Sequence, residues 1–150
     1  MIEPIRLAFN VRCPADHAFA VWTSATAAWW PPDHTMSGET GVDIVIERRV
    51  GGRIFERTSA GAEYDWGEVL LWEPPTRLSY LWHIGADRSE ATEVDITFSD
   101  RGDGTSDVRI EHRGWERLGA AAQARREKNK DGLEAVVPLF VAACAVSTVR

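Results

Sequence analysis

Cysteine is scarce in this chain: Cys13 and Cys144, one near each end of the 150 residues, are the only two. Two thiols cannot build a disulfide framework, and no CxxC or Cys/His spacing suited to zinc is present. Long apolar runs are also missing, none approaching the ~18 residues that a membrane-spanning helix needs. Positive charge is in deficit, with 17 Lys and Arg against 23 Asp and Glu and a formal net charge of −6. That balance gives no basic face for nucleic acid or an anionic membrane, so neither is expected as a partner. The opening residues Met1 to Arg6 lack the charged flank and apolar stretch of a signal peptide, and the expected location is the cytoplasm. No cofactor motif, nucleophile elbow or Ser/His/Asp order occurs, so covalent and metal catalysis have no support in the sequence.

The residues that are present describe a folding chain. With 44% hydrophobic and 27% charged residues, disorder is not expected. The length fits a single domain over residues 1–150, able to bury roughly 70% of the surface its unfolded chain exposes. Ile5, Leu7, Phe9 and Val11 alternate with polar or small residues and mark a half-buried strand. Pro14 and Asp16 open a short helix to about Thr23, a second helical turn covers Ala25 to Trp30, and Pro31-Pro32 ends it in a loop reaching about Gly41. Strand patterns then follow one another: Val42 to Glu47, a Gly51-Gly52 turn, Arg53 to Thr58, Glu63 to Trp72, Leu78 to His83, Glu93 to Phe98, and a last strand through Val108, Ile110 and His112. No crossover helix separates these strands, so the sheet is antiparallel and the class is α+β.

From Trp115 the period changes. Leu133, Val136, Val137, Phe140, Val141 and Cys144 fall on one helical face, which makes Cys144 a buried small hydrophobe. An unbroken helix from Trp115 to Ser147 would run ~50 Å, against a radius of gyration of only ~15 Å for a domain this size. A break is therefore expected around Asn129 to Gly132, where charge peaks, and Pro138 is expected to kink the remainder or to mark where a tight helix restarts.

Several segments together resemble a known superfamily: WWPPDH at Trp29 to His34, VGGRIFE at Val50 to Glu56, WGEV at Trp66 to Val69, WEPPTRL at Trp72 to Leu78, and EHRGW at Glu111 to Trp115. The chain resembles the START-like, or polyketide cyclase-like (SRPBCC), superfamily, and within it the bacterial branch named after the activator of heat-shock-protein-90 ATPase. The resemblance implies a helix-grip fold, in which a curved sheet of about seven strands wraps a long C-terminal helix with an internal cavity between them. It also implies binding of a small hydrophobic molecule, cyclase activity or a co-chaperone role. Fold alone does not choose among these.

Alternation places His112 on the core-facing side with Val108 and Ile110. Glu56 shares a face with Ile54, opposite Phe55, and the pattern leaves open which face is inward. An inward Glu56 would need His112, an arginine or a raised pKa, since a lone buried ion costs several kcal/mol. A Glu56–His112 pair could act as acid and base. The competing reading bonds His112 to a backbone carbonyl and pairs Glu56 with Arg53 or Arg57 at the surface.

Seven tryptophans are more than packing of one small domain requires. Trp22, Trp72 and Trp115 flank turns or helix starts and read as packing. Trp30, Trp66 and Trp82, with Tyr80, are candidate lining for a site taking an aromatic or amphipathic ligand. His34, in the loop after WWPP, either contacts a ligand at the mouth or caps backbone. The candidate ligand-binding set is thus Trp30, His34, Glu56, Trp66, Tyr80, Trp82 and His112. A homodimer paired through the Ile5–Val11 edge stays open.

Overall fold

The computed structural model describes residues 2–146 and contains one seven-stranded antiparallel sheet with three helices. The strands are β1 (Ile5–Val11), β2 (Asp43–Ile46), β3 (Arg53–Arg57), β4 (Glu63–Glu73), β5 (Arg77–Trp82), β6 (Thr92–Asp100) and β7 (Ser106–Arg113). Their order across the sheet is β1-β7-β6-β5-β4-β3-β2, so the N-terminal strand pairs with the last one and the rest form a meander. The helices are α1 (Ala15–Ser24), α2 (Thr26–Trp29) and α3 (Ala122–Val146). The α+β class and the helix-grip arrangement of sheet and long C-terminal helix are as the sequence led us to expect.

Strand alternation translates directly into burial. Thr92, Val94, Ile96 and Phe98 of β6, and Ser106, Val108, Ile110 and His112 of β7, face the helices. The opposite face carries ion pairs, among them Arg77–Asp95 at 2.8 Å and Arg117–Glu93 at 2.7 Å. The sheet is strongly curved, because α1 packs on β2 at one edge and on β6 and β7 near the other. Two irregularities in β4 help to bend it. Ile54 opposes Gly67 while Phe55 opposes Asp65, which leaves Trp66 as an extra residue. Leu70 is likewise extra between Val69 and Leu71. Such bulges sharpen local twist and re-aim the side chains beside them.

The first N–H of α1 is capped from a distance: Asp100 Oδ1, at the end of β6, accepts from the Ala15 amide at 2.8 Å. The long helix departs from expectation in where it breaks. Asn129 to Gly132 lie inside α3, and the interruption comes earlier, at Gly119 (φ 57°, ψ −126°), inside the 3-10 segment (Trp115–Ala121) that leads into α3. That backbone geometry strongly favours glycine. The charge run Arg125 to Lys130 stays helical because its side chains reach solvent or partners, as with Arg125–Glu90 at 2.9 Å. Pro138 is accommodated within the 25 residues of α3, about 38 Å long. Val136, Phe140 and Cys144 form its buried stripe against the sheet.

Candidate functional site

Glu56 faces inward from β3 and is fully buried. Phe55, on the opposite face, is buried too, because the Arg53 and Arg57 guanidinium groups lie over its ring at 4.1 and 5.2 Å. The alternation reading that turns Ile54 and Glu56 inward therefore holds, and Phe55 is buried from the outer face rather than in the core. The surface ion pair expected for Glu56 is absent: Arg53 pairs with Asp65 at 2.7 Å and Arg57 with Glu63 at 2.8 Å. The other expected partner is absent as well, since no histidine bonds Glu56. Instead Oε1 accepts from the Met36 amide at 2.6 Å and from Trp66 Nε1 at 2.8 Å, and Oε2 accepts from the Ser37 amide at 3.1 Å. Burial alone would raise the carboxyl pKa. The hydrogen bonds from Ser37, Met36 and Trp66 outweigh it and hold the group below the usual glutamate value, hence ionised at neutral pH.

Two of these donors belong to the segment between α2 and β2, residues 30–42, which contains no helix or strand. Its near end is tied by Trp30, whose Nε1 donates to the His34 carbonyl at 2.9 Å. The His34 imidazole, about a third exposed, turns to the Asp33 carboxylate at 2.8 Å. The bond with His34 lowers the Asp33 pKa. Thus His34 organises the segment through its backbone, and its ring is engaged with its neighbour.

Beneath the segment the candidate aromatics do come together. Trp30 meets Trp66 at 5.2 Å and Trp82 at 5.9 Å between ring centroids, Trp66 meets Trp82 at 5.6 Å, and Tyr80 meets Trp82 at 5.8 Å. These are ordinary packing separations for aromatic pairs. The rings pack on one another where the tryptophan lining was expected. Two concavities lie around this cluster, the second of them bordered by Trp82. One, about 470 Å³ and open, lies between the β4–β5 turn, β6 and the start of α1, lined by residues such as Glu73, Arg77 and Phe98. The other, about 20 Å³, lies between Trp82, Thr92, Trp115 and Arg125. It has room for about one water molecule.

His112 is not part of the aromatic cluster. Its Nε2 shares a 2.6 Å hydrogen bond with Thr92 Oγ1, and its ring lies tilted against Trp115 at 4.3 Å between centroids. Burial pushes its pKa down to about 3, so it is neutral at physiological pH. Three strands separate β7 from β3, a path of ~19 Å along the sheet at the usual spacing. The Glu56–His112 acid/base pair does not form. Trp22, Trp72 and Trp115 are packing residues, as read: Trp22 abuts Phe140 at 4.9 Å, Trp72 meets Phe19 edge-on at 5.1 Å, and Trp115 Nε1 donates to the His112 carbonyl.

Sequence reasoning missed the donors on Glu56, because Met36 and Ser37 act through backbone N–H groups that carry no residue signature. It also missed Trp29 and Phe140. Trp29 abuts Trp30 at 5.8 Å and Phe140 at 5.3 Å, so the cluster is continuous with α3. No group of His, Cys, Asp and Glu suited to a metal ion exists among the described residues. No helix there is long and apolar enough to cross a membrane.

The family model described as Activator of Hsp90 ATPase homolog 1-like protein matches residues 12–141. The chain belongs to this family. No curated protein matches it. Among solved structures, an anthrahydroquino-gamma-pyrone synthase in complex with SUM is 29% identical, with 94% of this chain and 96% of that one covered and a TM-score of 0.64. A Mesorhizobium loti protein is 18% identical over 98% and 100% of the two chains, with a TM-score of 0.69. A Bacillus halodurans protein, also 18% identical, covers 95% and 97% at a TM-score of 0.66. The latter two establish the START-like fold alone. The superfamily resemblance carried by the five motifs holds.

Proposed function

We propose that the chain binds a small aromatic or otherwise hydrophobic molecule among Trp30, Trp66, Tyr80 and Trp82, with Glu56 as the polar anchor. The observation that carries the reading is the attachment of the 30–42 segment to a buried carboxylate. Swinging residues 31–42 away would break two backbone bonds to Glu56 and the Trp30–His34 bond and would uncover the indoles next to an acceptor. Hydrogen bonds to a charged group contribute about 1.5–3 kcal/mol each. The open form is then a minor state, and affinity is reduced by its fraction. His34 travels with the segment and stands at the mouth. His112 has no place in the site. The 29% identical synthase supports an aromatic occupant.

Titration with 1-aminoanthracene, followed by tryptophan emission, tests this. A saturable quench at one equivalent is expected, weakened at least tenfold in Trp82→Leu. No saturable change up to the probe's solubility limit would sink the reading. The same relative favours a second reading, in which the site turns its ligand over with Glu56 alone as proton acceptor. Under that reading Glu56→Gln abolishes product formation while leaving the quench in place.

A further inference from the structure

A second polar site stands at the end of the aromatic row remote from Glu56. Along the inward face of the sheet, Trp66 of β4 donates to Glu56 of β3 and meets Trp82 of β5 at 5.6 Å. Trp82 is in turn the cross-strand partner of Thr92 on β6. Beyond Trp82 and Thr92 lies the concavity of about 20 Å³, lined also by His83, Trp115 and, from α3, Arg125 and Asn129. The Ala86 carbonyl can only accept, so His83 Nδ1 donates to it at 3.3 Å and Nε2 is left as an acceptor on a nine-tenths buried side chain. Asn129 Nδ2 donates to the Arg125 carbonyl at 2.9 Å, which leaves Oδ1 as a second acceptor. Arg125 gives one Nη to Glu90 at 2.9 Å and keeps further N–H donors on its guanidinium. The Thr92 hydroxyl is already engaged with His112.

A donor and two acceptors around the space of one water molecule match a hydroxyl, which both accepts and donates. A carbonyl or carboxylate oxygen only accepts, and it would leave the acceptors of the pocket unsatisfied. We propose that this pocket takes a hydroxyl of the bound molecule, which makes the ligand a hydroxylated aromatic lying along Trp66 and Trp82. β3 and β6 are three strand spacings apart, ~14 Å, and this sets the length of a molecule that reaches both ends. One hydroxyl donates to the Glu56 carboxylate. The other accepts from Arg125 and donates to His83 or Asn129. A methyl ether at that end has no hydrogen to donate, and its methyl group exceeds the pocket. The inference rests on the aromatic-site reading above and adds Arg125, Asn129 and His83 to it as specificity residues.

Isothermal titration of the full chain at pH 7 compares 4,4′-dihydroxybiphenyl with 4-hydroxybiphenyl and with 4-hydroxy-4′-methoxybiphenyl. The diol is expected to bind about tenfold more tightly than either. In Arg125→Met the diol should fall to the level of 4-hydroxybiphenyl, whose own affinity stays unchanged and reports that the variant is folded. The inference is overturned if the wild-type chain binds the methyl ether or the single-hydroxyl compound as well as the diol, or if the preference survives Arg125→Met. In those cases the aromatic-site reading stands, because the single-hydroxyl compound still binds. Binding by none of the three overturns this inference alone if 1-aminoanthracene still quenches, and the aromatic-site reading as well if it does not. The comparison of the three compounds uses only the wild-type chain, so it decides even where Arg125→Met fails to fold.

Discussion

Glu56 is a buried ion for which three N–H dipoles stand in place of a counter-ion. Glu56→Gln keeps shape and one acceptor oxygen but turns an amide NH2 toward a backbone donor. A loss of about 1–3 kcal/mol in urea unfolding at pH 7 is expected. His112 is another buried titratable group, and like Glu56 it has a folded-state pKa below its unfolded one. The unfolded chain therefore binds more protons as pH falls, and stability drops. For His112 the loss begins below its ordinary value of 6.5 and continues to about 3. For Glu56 it begins near 4.5 and continues through its lower folded value. His112→Gln, which can retain a bond to Thr92, should flatten the stability profile between pH 7 and 5. Urea midpoints of both chains at pH 8, 7, 6 and 5 would show this, and parallel curves would refute the assignment.

At the scale of elements, β4 decides how the sheet closes. Gly67 sits beside the bulged Trp66, where a Cβ would lie 1.9 Å from the Leu81 carbonyl oxygen of β5. Gly67→Ala must push two paired backbones apart, and a loss of about 3 kcal/mol or more is expected by thermal or urea unfolding. An ordinary surface-strand cost below 0.5 kcal/mol would mean that the strands approach less closely than described. The bulges were not legible in the sequence, because an inserted residue leaves a run such as Glu63 to Glu73 apolar enough to pass as one strand. The strands themselves were legible, since one face of each lies on the core and alternation records that. Burial of three successive residues, Ile54 to Glu56, broke the pattern because arginines roofed Phe55 and backbone donors satisfied Glu56. The helix break was misplaced for a similar reason. A glycine inside a helix, such as Gly132, and a glycine with positive φ, Gly119, look alike as letters. Pro138, exposed in α3, leaves the Glu134 carbonyl without its helical donor. Pro138→Ala should therefore stabilise the chain by about 1–3 kcal/mol, and an unchanged urea midpoint would count against a regular helix there.

Across the whole molecule, one unbroken run of aromatic rings leads from the sheet to the helix. Tyr80 and Trp82 adjoin Trp66 and Trp30, Trp30 adjoins Trp29, and Trp29 and Trp22 both rest on Phe140. Phe140 is fully buried and also meets Phe9, so it joins the gripping helix to both the aromatic body and β1. Removing its ring should cost about 3–5 kcal/mol through lost contacts and the void left behind. That void would be walled by Phe9, Trp22 and Trp29, apolar rings with little reason to admit water. A dry void of this kind binds small apolar molecules, and anything that binds only the folded state raises its stability with concentration. Phe140→Ala should therefore regain thermal midpoint in proportion to the logarithm of added benzene, while the wild-type chain, whose rings fill the same space, should not respond. If both chains respond alike, the interior of the native protein already holds room for a ligand. If neither does, α3 has collapsed onto the sheet and the helix, rather than the rings, sets the size of the interior.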